Sequence, residues 1–206
     1  MRTLGLNKSY DEKLVLTDVD FEVLSGQRIG IIGKNGIGKT TLLNCLLGYL
    51  PVDSGLVKIG ESINVGYLSQ ADITLNPDST IYTELNRVGC NDRNTAYGLL
   101  KRWLFTEYDP DKKIKDLSGG ERKKVQLMKI MLQKPNLLVL DELTDHLDMA
   151  SREGLEKAVA EFQGTVIAVS HDRYFLDAVT DRIFELTPKG IIPLESSYTA
   201  SVSRMK

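Results

Sequence analysis

Residues 33–40 read Gly33-Lys34-Asn35-Gly36-Ile37-Gly38-Lys39-Thr40, and what flanks them decides the fold. Residues 26–32 make a short apolar run of the kind a buried strand makes, and residues 41–50 are apolar with helical spacing until Pro51, Asp53 and Gly55 end the segment. The stretch therefore fits G-x-x-x-x-G-K-[ST] in the setting it requires, strand before and helix after. Glycines let the backbone curl so that consecutive N–H groups face phosphate oxygens, and the following helix adds its positive end. Lys39 supplies a point charge for the β- and γ-phosphates, and the Thr40 hydroxyl is a hard oxygen ligand for Mg2+. A glycine turn with an incidental lysine is the plain alternative, but it would not explain both flanks.

A second signal lies about a hundred residues on. Residues 137–142 read Leu137-Leu138-Val139-Leu140-Asp141-Glu142, four apolar residues ending in two acids. On a buried strand, carboxylates belong only at the exposed tip. Asp141 there suits a Mg2+ held through water. Glu142, expected on the opposite side of the strand, suits orienting or deprotonating an attacking water. A third signal is Leu117-Ser118-Gly119-Gly120-Glu121, at the start of a helix expected over residues 120–133. Ser118 suits an N-cap, and Gly119 and Gly120 open the backbone to a ligand. Either this is a simple cap or it is a second anion site. One nucleotide does not need two such sites. A symmetric head-to-tail dimer resolves this, with each chain offering its glycine loop to one ATP and its Ser-Gly-Gly start to the other.

The rest of the chain sets these motifs in order. Residues 3–7 and 14–23 read as strands, and 56–59 and 63–68 as another pair; 80–87 and 94–104 read as helices. From 137 onward strand and helix alternate: strand 137–140, helix 151–162, strand 165–170, helix 174–179 and a last strand at 182–186. The expected fold class is α/β, with a parallel sheet whose ligand loops lie at the carboxyl ends of its strands. The 206 residues suit a single domain, 1–206, able to bury roughly 70% of the surface of its unfolded chain. With 42% hydrophobic and 26% charged residues it is neither disordered, collagenous nor a coiled coil. No apolar run approaches the ~18–20 residues of a membrane helix, and the opening MRTLGLNKSYDEK has no apolar signal region. Two cysteines, Cys45 and Cys90, argue against a disulfide scaffold and for a cytoplasmic setting. The net charge of −2 gives no global argument for nucleic acid.

The motifs together, residues 33–40, Gln70 after a strand, 117–121, 140–142 and Ser170-His171-Asp172-Arg173, occur in an order that resembles the ATP-binding-cassette (ABC) ATPase domain over essentially the whole chain. His146-Leu147-Asp148 and the run 169–177 make it most similar to family F, soluble proteins that act on the ribosome, usually with two cassettes in tandem. The resemblance implies an ABC-type phosphate-loop core with an antiparallel β subdomain and a small helical subdomain at about 71–116. It implies that Tyr10 stacks on adenine, and that Gly33, Asn35, Gly36, Gly38, Lys39, Thr40 and Thr41 cradle the phosphates. It further implies that Gln70 senses the γ-phosphate and Mg2+ beside Thr40 and Asp141, that Glu142 and His171 act on the γ-phosphate with Lys39, and that Ser118, Gly119, Gly120 and Asp148 serve the partner's ATP and the dimer. The implied cofactors are ATP and Mg2+, and the implied partner is a second cassette, in a homodimer or a tandem protein.

Two departures stand out. Leu143 occupies a position where the family carries a proline, and Asp145 adds negative charge near Asp141 and Glu142. The tandem partner and its linker are absent from this chain. Three readings stay open: a ribosome-associated translation or antibiotic-resistance factor, the nucleotide-binding subunit of an ABC membrane transporter, and a nucleotide-dependent module with little turnover. Lys112, Lys113, Lys115, Arg122, Lys123, Lys124 and Lys129 cluster around the Ser-Gly-Gly element, either as a contact for ribosomal RNA phosphates or as a solvated charged face.

Overall fold

The computed structural model describes residues 1–11, 13–69, 75–105, 108–144 and 147–194. An antiparallel sheet of β1 (Arg2–Tyr10), β2 (Lys13–Glu22) and β4 (Ser54–Lys58) has the order β2-β1-β4. A second sheet contains β3 (Arg28–Ile32), β5 (Val65–Leu68), β6 (Leu137–Asp141), β7 (Thr165–Val169), β8 (Arg182–Thr187) and β9 (Gly190–Leu194), in the order β5-β6-β7-β3-β8-β9. Its first five strands are parallel, and β9 runs antiparallel to β8.

This sheet is the middle of three layers, and the period-2 alternation of strand side chains feeds two cores. Leu138 and Leu140 of β6 and Val166 and Ala168 of β7 face a core shared with α2 (Ile81–Asn86), α3 (Arg93–Arg102), α4 (Gly119–Leu132), α5 (Met149–Ala160) and α6 (Arg173–Val179). Leu137, Val139, Ile167 and Val169 face the other core, made with α1 (Lys39–Leu46) and the inner face of the antiparallel sheet. With both faces covered, β6 and β7 are buried throughout, which is why they read as continuous apolar runs.

The helices start where their caps are. Thr80, Asp92, Ser118, Asp148 and Asp172 each accept a backbone N–H of the first turn, and Ser118 with Glu121 completes a capping box. Arg28 locks the far end of the sheet to two helices: its guanidinium donates to the carbonyls of Val159, Phe162 and Val179 at 2.7–2.8 Å.

Three expectations are corrected. The strands expected at 56–59 and 63–68 are not partners: β4 pairs with β1 and β5 with β6, because a turn at Gly60 separates them into different sheets. Strand 182–186 is not the last, since β9 follows; Pro193 is tolerated there because β9 is an edge strand. The helix expected at 41–50 runs instead over Lys39–Leu46, stopped by Gly48 at φ 75°.

Candidate functional site

The order β6-β7-β3 sets three adjacent strands side by side, and each carries one motif at its carboxyl end. β3 delivers residues 33–38, β7 delivers Ser170 and His171, and β6 delivers Asp141 and Glu142. Gly33, Gly36 and Gly38 all take positive φ, and a Cβ on Gly33 would stand 2.8 Å from the Leu186 carbonyl oxygen. No other residue type fits that curl without strain.

The loop opens onto a cleft of about 470 Å³. Tyr10, Asn35, Gly36, Gly38, Lys39, Thr40, Thr41, Glu142 and His171 line it, together with Val15, which carries no motif that would single it out. Tyr10 stands at the mouth, 47% exposed, at the end of β1.

The cleft holds a close triangle of three groups. Lys39 Nζ lies 3.4 Å from Glu142 Oε1 and 3.0 Å from His171 Nε2, and His171 Nε2 lies 3.3 Å from Glu142 Oε1. Lys39 also donates to the Gly33 carbonyl at 3.1 Å. One proton decides the geometry: Lys39 donates to Nε2 only when that nitrogen is bare, and Nε2 donates to Glu142 only when it is protonated. The carboxylate is brought here by backbone conformation. Glu142 sits at φ 52°, anchored by its N–H to the Val169 carbonyl at 2.9 Å. The expectation that it faces away from Asp141 across the strand is therefore corrected: β6 ends at Asp141, and the left-handed residue after it turns Glu142 onto Lys39.

Asp141 is buried behind Thr40. Burial pushes its carboxyl above the ordinary range, and the Glu142 charge pushes the same way, against the Thr40 hydroxyl, the Lys39 ammonium and the Tyr67 phenol. Tyr67 Oη lies 3.5 Å from Asp141 Oδ2 and is itself pushed up to about 12, chiefly by burial and then by Asp141. Tyr67 backs the site without any motif to announce it. Among the described residues, Asp141 Oδ1 and Glu142 Oε2 are buried without a hydrogen-bond partner. Such orphaned acceptors suit a bound cation or an ordered water. Among the described residues no group of three or more His, Cys, Asp or Glu forms a metal cage. A cation here would therefore rest on Thr40 and Asp141, with other oxygens from elsewhere.

Ser118, Gly119, Gly120 and Asp148 do not line this cleft. They form a second locus where the start of α4 meets the start of α5, with Asp148 Oδ2 accepting from Ser151 Oγ at 2.8 Å. Gln70, Asp145 and His146 lie outside the described residues. Several members of the basic cluster are engaged within the chain, while Lys113, Lys115 and Arg122 are exposed. Lys124 is 2% exposed and donates to the Leu104 carbonyl at 3.0 Å, Lys129 pairs with buried Glu84, and Lys115 pairs with Asp78 at 3.2 Å. Lys123 donates to the Leu143 carbonyl and Arg122 to the Leu117 carbonyl.

The ABC transporter family profile matches residues 16–145. The chain belongs to the ABC family. This cassette is 38% identical over 94% of its length to the ATP-binding protein YbiT of Escherichia coli O157:H7, covering 37% of that protein. It is 37% identical over 91% to the ribosome protection protein VmlR of Bacillus subtilis (strain 168), covering 34%. It is 33% identical over 95% to the energy-dependent translational throttle protein EttA of Escherichia coli (strain K12), covering 36%. The chain thus spans about a third of the length of these relatives, several of which are family F members. Its fold matches a chain of an inward-facing metal-chelate type ABC transporter with a TM-score of 0.76, at 20% identity, over 94% of this chain and 82% of that one. ABC domains are ATPases. Among the described residues no helix is long and apolar enough to cross a membrane.

Proposed function

We propose that the cassette binds ATP in the cleft between Tyr10 and His171 and hydrolyses it between two chains. The observation that carries this is the Lys39–Glu142–His171 triangle at the mouth of the glycine loop. Within 3.0–3.4 Å of one another, these three groups bring an ammonium, a carboxylate and an imidazole together beside the glycine loop. Tyr10 offers a face for adenine, and the backbone N–H groups of the loop take the β-phosphate. Lys39 neutralises charge on the terminal phosphoryl group, His171 donates to its oxygen, and the free Oε2 of Glu142 accepts a proton from an in-line water. Thr40 and Asp141 would hold Mg2+, which supplies charge neutralisation to the phosphates when bound. Asp141 Oδ1, buried and without a partner among the described residues, supports that assignment.

Ser118, Gly119 and Gly120 complete the neighbour's site. Their helix start has its caps internally satisfied yet exposes Ser118 and Gly119, so an anion arriving from another chain meets backbone N–H groups and the positive helix end. ATP then bridges the chains, and loss of the γ-phosphate removes the bridge. A ribosomal setting is supported by the names of two relatives, a ribosome protection protein and a translational throttle protein.

Glu142→Gln tests the reading. It should bind ATP like the parent, hydrolyse it about 10²–10⁴-fold more slowly, and sediment as a dimer with Mg·ATP. Hydrolysis at the parent rate removes Glu142 as the base, and a monomer at high protein concentration removes the two-chain site. Pelleting of the same variant with ribosomes, weakened by salt, tests the setting.

A further inference from the structure

Lys123, Thr144 and Ser170 form a polar line that the chemistry above does not use. Lys123 lies on α4 just past the Ser118 cap and donates from Nζ to the Leu143 carbonyl at 3.0 Å. Leu143 follows Glu142 directly and is fully packed. The next residue, Thr144, is buried, and its hydroxyl shares a hydrogen bond of 3.0 Å with the buried hydroxyl of Ser170. Ser170 also accepts the Asp172 N–H at 3.0 Å, so its side chain spans the backbone on either side of His171. The line joins segments 20 and 26 residues apart in sequence. The Thr144–Ser170 link is buried, where a hydrogen bond is stronger and its loss costlier, and the other two links are partly buried.

We propose that Lys123 is a positioning residue that ties the first turns of α4 to the loop carrying Glu142 and, through Thr144 and Ser170, to His171. A phosphate that draws Lys39 and His171 toward itself takes them from the Glu142 carboxylate, and the release of Glu142 and the shift of His171 reach Leu143 and Ser170. Lys123 carries that displacement to the helix start bearing Ser118 and Gly119. The inference rests on the two-chain reading for its purpose, since the line then runs from a chain's own nucleotide to the one it shares with its neighbour. Its existence is testable in a single chain.

A contiguous line is geometry, and coupling has to be measured. The experiment is amide hydrogen exchange of the full chain with a Mg-bound, non-hydrolysable triphosphate analogue of ATP, at a dilution where sedimentation reports a monomer. In the parent, exchange should slow severalfold at residues 33–41 and also at residues 119–124. Lys123→Met should keep the first effect and lose the second, while Lys123→Arg, which retains a donor, restores it. Thr144→Val should weaken the same signal, and the double variant should add little to Lys123→Met. Should Lys123→Met fold poorly, Lys123→Arg and Thr144→Val decide the matter. Protection of residues 119–124 that survives Lys123→Met, or that never appears in the parent, overturns the proposal. So does a Lys123→Arg protein that behaves like Lys123→Met. Dimerisation of Glu142→Gln is scored separately, so the two-chain reading can fail while the link stands.

Discussion

Gly120 and Ser151 share one packing site: a Cβ on Gly120 would stand 2.2 Å from Ser151 Oγ and 3.2 Å from Asp148 Oδ2. The helix start that carries Ser118 and the helix start capped by Asp148 therefore meet with no room for a side chain between them. Gly120→Ala should cost about 1–3 kcal/mol through overpacking and should abolish the dimer formed by Glu142→Gln with Mg·ATP. Adding Ser151→Gly should recover part of both losses, because it removes the atom that clashes. Denaturant midpoints and sedimentation measure the two effects, and a Gly120→Ala protein that dimerises normally would separate this contact from nucleotide sharing.

Lys39 is the cation of the cleft, nearly buried against Glu142 and His171. Charge-assisted hydrogen bonds contribute roughly 1.5–3 kcal/mol each. Lys39→Met should therefore weaken ATP binding by about 10–100-fold. Calorimetric titration of the two proteins with ATP gives the ratio, and equal affinities would take Lys39 off the phosphates.

His171 is partly exposed at the cleft edge and touches both Lys39 and Glu142. Loss of one preorganised donor to a developing anion typically costs ~10²–10³ in turnover. His171→Ala should lower kcat by about that factor while changing ATP affinity by less than about tenfold. A fall in affinity with turnover preserved would make His171 a binding group instead.

Arg28 holds three helix-end carbonyls from the far side of the sheet. Burial lowers the pKa of its guanidinium, against the raising influence of Asp181. Arg28→Met removes three hydrogen bonds and should cost about 3 kcal/mol, a fall of roughly 10 °C in Tm. Calorimetry checks this, and ATP affinity should be unchanged because the site is at the opposite end of the strands.

Acid should unfold the protein partly through its capping and turn carboxylates. Hydrogen bonds from Ser151 hold Asp148 below the ordinary carboxylate range, those from Thr95 do the same for Asp92, and Lys8 with the Ser9 N–H does so for Asp53. A lowered native pKa stabilises above the unfolded value of about 4, and that stabilisation disappears as pH falls through the lower native values. Stability should thus drop steeply below about pH 4. Asp92→Asn, which keeps a capping acceptor but cannot titrate, should flatten part of that slope.

The motifs were legible because their chemistry is local. A glycine loop between strand and helix, acids at a strand tip and a serine before two glycines each declare themselves within eight residues. The partners of the basic cluster were not legible, for the opposite reason. Its charges are contiguous in sequence, but the groups that occupy them, such as Glu84, Asp78 and the Leu104 carbonyl, arrive from other elements. Strand β9 escapes notice because Gly190 and Pro193 look like breakers and are acceptable only at a sheet edge. Tyr67 and Val15 carry no motif at all, and only their neighbours make them part of the site.

The sequence by itself determined which side chains are available for phosphate chemistry and that a parallel sheet would present them at its carboxyl edge, because hydrophobic period and glycine spacing are properties of short segments. Only the tertiary structure decided that β6, β7 and β3 lie side by side, that Glu142 turns back onto Lys39, and that Gly120 rests on Ser151. Strand order and side-chain approach depend on how distant segments bury one another's apolar faces, and no local pattern encodes that sum.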